Sequence, residues 1–203
     1  MKTESMFPEP APWLAGPMLL QRFVPGLATW PAVAEEKVNG VRCLVIVDEK
    51  GQGRAYSREG NPLPVQALAD RIAAAGGPGV YDGELAAGTW NETISLLKRR
   101  GADRSALIFH CFDALTPQEW AFSGSLVPWC YRRWRLDVLH AVPGVRVLPG
   151  VQVDGPDEVE ALFRVAIADR WEGLVIKDPQ SGYYCGERTR AWLKLKEGRL
   201  ECW

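Results

Sequence analysis

The clearest alternation of apolar and polar positions begins at residue 33, where "VAEEKVNGVRCLVIV" sets two short stretches on either side of Asn39 and Gly40. Val41, Cys43, Val45 and Val47 recur with period two, and an Asn-Gly pair tolerates the positive φ of a tight turn. The pattern predicts a β-hairpin over 33–47. "EKGQG" then turns the chain into a third strand around "RAYS". "NPLPVQALADRIAAAGG" carries helical spacing at Leu63, Ala67 and Leu68 and stops at a Gly pair. "GVYDGELAA" and "ALIFHCFDAL" read as strands, with a helix over "TWNETISLLKRRG" between them. Further helices are expected over 129–141 and "GPDEVEALFRVAIADR", and "EGLVIK" and "AWLKLK" follow as short strands. Residues 7–31, rich in Pro and Gly, read as an irregular arm with one apolar piece, "PMLLQRFV". Strand pairs interrupted by helices, without a regular βαβ alternation, predict an α+β fold of antiparallel β-sheets flanked by helices.

Composition narrows the chemistry. With 203 residues, 47% apolar and 10% aromatic, the chain can bury a large core, and it contains no apolar run of membrane-spanning length and no signal-like start. A soluble, cytoplasmic protein is expected. The five cysteines are scattered and never form CxxC, which argues for reduced, buried thiols instead of a disulfide framework or a zinc site. Two histidines leave little for a His-based metal site or a serine-type triad, so any chemistry falls to Lys, Arg and carboxylates. A formal net charge of −1 gives no global basic footprint for nucleic acid. Local phosphate-binding candidates are Lys98, Arg99 and Arg100, and the Arg132, Arg133 and Arg135 cluster around Trp134, although a solvated helix face explains either.

Charged groups also stand at strand positions. Asp82 and Glu84 in "DGEL" face one side of their strand, Glu172 and Lys177 bracket the apolar core of "EGLVIK", and Lys194 and Lys196 share a face in "LKLK". Singly, each has an ordinary reading, and Lys37 itself passes for a solvated charge beside a hairpin. Together they supply a lysine without a near partner, acids for a divalent cation and paired cations for a phosphate, the parts of a nucleotidyl-transfer site.

In chain order, "EEKVNGVR", "YSREG", "DGEL", "FHCFDAL", "EGLVIKDP" and "WLKLK" resemble motifs I, Ia, III, IIIa, IV and V of the covalent nucleotidyltransferases, the superfamily of ATP-dependent DNA ligases, RNA ligases and mRNA capping enzymes. "EGLVIKDP" followed by "GYYCGERTRAWLKLK" is most similar to the small DNA ligases of T7-like phages. The resemblance covers residues 35–196 and implies a single adenylation domain with an ATP-grasp-like ligase core over 1–203. It implies ATP as cosubstrate with Mg²⁺ or Mn²⁺, and nicked duplex nucleic acid as partner, DNA in preference to RNA. A monomer in a bacterial or phage-infected cell is expected, with a protein partner left open.

By the same resemblance Lys37 is the nucleophile that takes AMP from ATP, Glu35 accepts from the adenine amine, Phe112 stacks on the ring and Glu84 holds the ribose. Arg42, Lys177, Lys194 and Lys196 contact the phosphates, Arg58 and Arg190 (or Arg188) the 5′-phosphate of the nick, and Glu172 the metal. Attack requires a neutral amine, so a lysine that ordinarily titrates near about 10.4 needs its pKa lowered by roughly 2–3 units. Asp82 and Arg54 are expected to be structural and Asp113 to orient a loop. Two departures qualify the match: Asn39 replaces the Asp usual two residues after the lysine, and the OB-fold that usually follows motif V is expected to be absent. An RNA ligase is the alternative enzyme, and a nucleotide- or nick-binding module without catalysis is the alternative outside enzymes.

Overall fold

The computed structural model describes residues 16–197. The chain enters through β1 (Leu19–Arg22), β2 (Ala32–Glu36), β3 (Val41–Val47) and β4 (Gly53–Ser57), and then α1 (Gln66–Gly76). After β5 (Gly79–Ala86) come α2 (Trp90–Lys98), β6 (Ile108–Leu115), α3 (Pro117–Ala121), β7 (Gly124–Ser125) and α4 (Trp129–Arg133). The remainder is β8 (Val145–Val147), β9 (Gly150–Val153), α5 (Pro156–Ala168), β10 (Gly173–Lys177), β11 (Tyr183–Tyr184) and β12 (Arg188–Lys196). Both α2 and α3 start at a capping box, Thr89 with Glu92 and Thr116 with Glu119, in which each side chain satisfies the other residue's exposed backbone N–H. The buried stripe of α1 is Leu68, Ala69, Ile72 and Ala73, because Leu63 precedes the helix and Ala67 points to solvent. The helix expected over 129–141 divides into α4 and a 3₁₀ segment, Trp134–Leu139.

Two sheets carry the fold, one ordered β1-β12-β10-β2-β9 and the other β4-β3-β5-β6-β8, with β11 and β7 forming a small ribbon. Most pairs are antiparallel as expected, but β1 lies parallel to β12 and β8 parallel to β6, so both sheets are mixed. Period-two alternation sorts each strand between two cores. On β3, Cys43, Val45 and Val47 pack with α1, while Leu44 and Ile46 face the other sheet. The β1 sheet packs Ala34, Leu174, Ile176, Leu193 and Leu195 against Val159 and Phe163 of α5. A third cluster, including Leu44, Val80, Leu115, Trp129, Tyr183 and Trp192, fills the space between the sheets. Among the described residues Cys43, Cys111, Cys130 and Cys185 are free thiols, and no helix is long and apolar enough to cross a membrane. Cys202 lies outside the described residues.

The expected hairpin does not form. β2 pairs with β10 and β9 in one sheet, whereas β3 pairs with β4 and β5 in the other, so residues 37–40 are the crossing between sheets. Gly40 serves close approach here, not a positive φ: a Cβ at this position would collide with the carbonyl oxygen of Leu85 on β5. Gly40→Ala is therefore expected to push the crossing off β5 and lower stability by about 1–3 kcal/mol, the usual cost of overpacking. Urea unfolding midpoints of the two proteins would measure it.

Candidate active site

The crossing holds Lys37 in place by its backbone, which donates to the carbonyl of Gly173 at 2.9 Å. Gly173 opens β10 with φ 147°, a conformation disfavoured for residues with a side chain, and a Cβ there would strike the Leu195 carbonyl. The preceding residue, Glu172, accepts from Lys37 Nζ at 2.5 Å through Oε2, and its Oε1 pairs with Lys196 from β12. Burial pushes the Glu172 carboxyl up, but the hydrogen bonds from Lys196 and Lys37 outweigh it and hold the group below its ordinary range. Lys194 and Lys196 alternate with Leu193 and Leu195, which are core on the α5 side, so both lysines share the face of Trp192.

Glu35, Lys37, Arg42, Glu84, Phe112 and Lys177 line one pocket between the sheets, joined by Trp192. Lys177 is almost fully buried, with Nζ 2.6 Å from Glu35 Oε2 and 3.2 Å from the Phe112 carbonyl. Its ammonium also sits 4.8, 4.9 and 4.5 Å from the ring centroids of Phe112, Trp129 and Trp192. Aromatic faces partly replace the lost hydration of such a cation. Burial dominates both partners, pushing the Glu35 carboxyl up and the Lys177 ammonium down.

Arg42 is held by a fork. Its Nε and Nη2 each donate to Asp82 at 2.6 Å, Nη2 also reaches the Met18 carbonyl at 3.2 Å, and Tyr183 donates to the same carboxylate at 2.6 Å. This sets the guanidinium 4.9 Å from the Phe112 ring centroid. Asp82 thus positions Arg42 from beneath the pocket, in line with its expected structural role. Glu84 lies directly across from Arg42 in the β3–β5 register. Burial, helped by Asp82 and Glu172 and opposed by Arg42 and Lys37, pushes its carboxyl up to about 7.

That shift has a pH signature. Between about 4.5, where the unfolded carboxyl releases its proton, and about 7, the folded chain binds more protons, so rising pH erodes stability. The contribution is at most about 3 kcal/mol. Glu84→Gln is expected to remove this fall, read as the difference between urea midpoints at about pH 5 and about pH 7.5.

Other expected contacts lie elsewhere. Arg58 pairs with its neighbour Glu59 at 2.8 Å, both exposed, and Arg190 is exposed on β12; neither lines the pocket. Arg188 donates to the Leu20 carbonyl at 2.5 Å. In the arginine cluster near α4, Arg132 is buried against Asp113 and is no solvated charge, while the half-buried Arg133 approaches Glu35 at 3.6 Å and the half-buried Arg135 binds Glu119 at 2.5 Å. Carboxylates hydrogen-bond Arg132 and Arg135, while Arg133 stands near Glu35 without a hydrogen bond to it. Lys98, Arg99 and Arg100 are exposed, as a solvated helix end would be, and Asn39 is exposed in the crossing. Trp192 received no role from the sequence, although its place two residues before Lys194 already put it on the lysine face.

No group of three or more His, Cys, Asp or Glu capable of holding a metal occurs among the described residues. Glu84 lines the pocket and Glu172 stands outside its lining, bound to the pocket's Lys37, the two forming a donor set suited to Mg²⁺ held chiefly by phosphates and water rather than to a protein cage.

Two mixed sheets enclosing this pocket are the fold of nucleotidyltransferase-type ligase domains. The ATP-dependent DNA ligase of bacteriophage T7, solved in complex with ATP, superposes with a TM-score of 0.74 at 20% identity, over 89% of this chain and 68% of that one. A mycobacterial DNA ligase D complexed with ATP and MES gives 0.65 at 25% identity, over 91% and 60%. The chain belongs to the family described as ATP dependent DNA ligase domain, whose model matches residues 17–196. Among curated relatives, the DNA ligase of Pyrobaculum neutrophilum is 29% identical over 184 residues, 81% of this chain and 31% of its own length. A probable DNA ligase of Koribacter versatilis is 46% identical over 56 residues, 27% of this chain and 10% of its own. The chain spans about a quarter to a third of the length of the relatives that match most of it.

Proposed function

We propose that this chain is an adenylation domain that takes AMP from ATP onto Lys37 and passes it to the 5′-phosphate of a nick in duplex DNA, where the 3′-hydroxyl then displaces it. The observation that carries this reading is convergence: Glu35, Lys37, Arg42, Glu84, Phe112 and Lys177, from β2, the crossing after it, β3, β5, β6 and β10, line one pocket. In the first step the Nζ lone pair attacks the α-phosphorus and the bond to pyrophosphate breaks. An ammonium has no lone pair, so Lys37 must leave Glu172 and shed a proton before attack. Arg42 and Lys177, with Lys194 and Lys196 on the Trp192 face, supply fixed positive charge to the phosphates as they gain charge. Phe112 offers a ring for the base, Glu35 an acceptor for its amine and Glu84 an acceptor for the ribose hydroxyls. Mg²⁺, when bound beside Glu172, supplies Lewis-acid neutralisation of the triphosphate.

The test is incubation of the purified chain with Mg²⁺ and ATP labelled at the α-phosphate, denaturing electrophoresis, and a chase with nicked DNA or nicked RNA. Acid-labile label on the protein that moves to nicked DNA is the expected result. Transfer to RNA alone reassigns the substrate, and a folded protein that takes no label refutes the first step.

A further inference from the structure

Three polar atoms around the pocket are buried and lack a hydrogen-bond partner among the described residues: Glu35 Oε1, Arg133 Nη1 and Trp192 Nε1. The first two stand 3.6 Å apart, too far for a hydrogen bond but close enough for one bridging group to serve both. Trp192 is different. Its side chain is 1% exposed, wedged edge-on against Phe112 and Tyr183 with ring centroids 5.8 and 5.5 Å away, so the indole cannot turn its N–H to solvent. A buried donor without an acceptor costs about 1–3 kcal/mol, and native structures rarely leave one unmet. Glu35 in the same pocket has the complementary vacancy: Oε2 is taken by Lys177, and Oε1 is left to accept.

We infer that Trp192 is a specificity-determining residue of this site: its Nε1–H reads a ring-nitrogen acceptor of an aminopurine whose exocyclic amine donates to Glu35. The inference rests on the nucleotide reading of the pocket and adds to it a second hydrogen bond to the base. Adenine meets the pair of requirements on either side of its amine, through N1 or through N7, and an indole N–H is a donor only, so it selects for an unprotonated ring nitrogen. A base that places N–H or C–H at that position leaves the Trp192 donor orphaned, which is where discrimination arises.

The test is equilibrium binding by titration calorimetry without Mg²⁺, so that no chemistry intervenes, on the full chain with ATP, 1-deaza-ATP and 7-deaza-ATP, and on Trp192→Phe with the same three nucleotides. The folded chain is expected to bind one of the two deaza analogues about 5- to 15-fold more weakly than ATP, the worth of one hydrogen bond. Trp192→Phe, which keeps the ring and removes the N–H, is expected to bind ATP weaker by the same factor and to bind that analogue and ATP alike. Equal binding of all three nucleotides by the unaltered chain overturns the inference whether or not the variant folds, and points to buried water as the partner of the indole. Discrimination that persists in Trp192→Phe overturns it as well, by assigning the contact to another group. A chain that binds no ATP refutes the nucleotide reading itself.

Discussion

Replacing Lys37 by alanine is expected to abolish transfer of AMP to the protein, lowering the labelled product by at least about 10⁴-fold, since no other group can take the place of a covalent nucleophile. The variant should keep its fold. Lys37 is pinned by its backbone N–H to Gly173, a bond that alanine retains, and its ammonium is a partly exposed partner of Glu172, not a piece of the core. Lys196 would still hold the other oxygen of Glu172, so the carboxylate is not left bare. The measurement is acid-labile label per mole of protein, alongside an unfolding curve close to the parent's. A Lys37→Ala protein that still forms the acid-labile adduct would move the nucleophile elsewhere. Lys177 is the unsuitable alternative, with its Nζ fixed on Glu35 beneath the aromatic rings.

The largest effect on stability is expected from Arg132→Met. Arg132 and Asp113 are both fully buried and joined by two bonds, Nε to Oδ1 at 2.9 Å and Nη2 to Oδ2 at 2.8 Å. The remaining nitrogen of the guanidinium donates to the carbonyls of Ser181, at 3.1 Å, and Val127. One side chain thereby ties β6, α4 and the loop before β11. Removing it leaves the Asp113 carboxylate in the interior with the neutral Ala114 N–H, at 2.8 Å, as its hydrogen-bond donor. Breaking such a pair from one side costs about 3–5 kcal/mol. The double variant Arg132→Met with Asp113→Leu should recover part of the loss, because no buried charge is then stranded. Urea unfolding of the two proteins measures both numbers, and equal stability of Arg132→Met and the parent would refute the account. Damage should reach the pocket too, since α4 also presents Trp129 to Lys177 and Arg133 to Glu35.

The strands with strong period-two signals, β3, β5, β6, β10 and β12, were legible in the sequence, and so were Arg42, Glu84, Phe112 and Lys177, the side chains on the first four that line the pocket. Their order along the chain, from Glu35 to Lys196, carried the family resemblance as well. Pairing was not legible. "VNGV" has the composition of a hairpin turn, yet whether Gly40 relieves a positive φ or a close contact depends on β5, which is over forty residues away. β8, β9 and β1 are short, and β1 lies in a Pro- and Gly-rich stretch that hides its alternation, so they went unread. Charge was equally ambiguous. A run such as "YRRWRLDVL" looks solvated until its carboxylate partners, Asp113, Glu35 and Glu119, are brought in from other elements. The orphaned indole of Trp192 has no signature in sequence, because a missing partner is a property of the assembled pocket.

The two short parallel strands have a protective consequence. β12 carries Lys194 and Lys196 and would be the rim of its sheet but for β1, whose Leu19–Arg22 backbone runs alongside it. β8 covers β6 in the same manner. An unshielded β12 would expose a nine-residue ladder of backbone donors and acceptors to any neighbouring molecule. The β1 segment ahead of Lys37 therefore acts as a guard against sheet-to-sheet aggregation, and a chain begun at Phe23 should cluster in solution as well as lose Leu20 from the pocket wall.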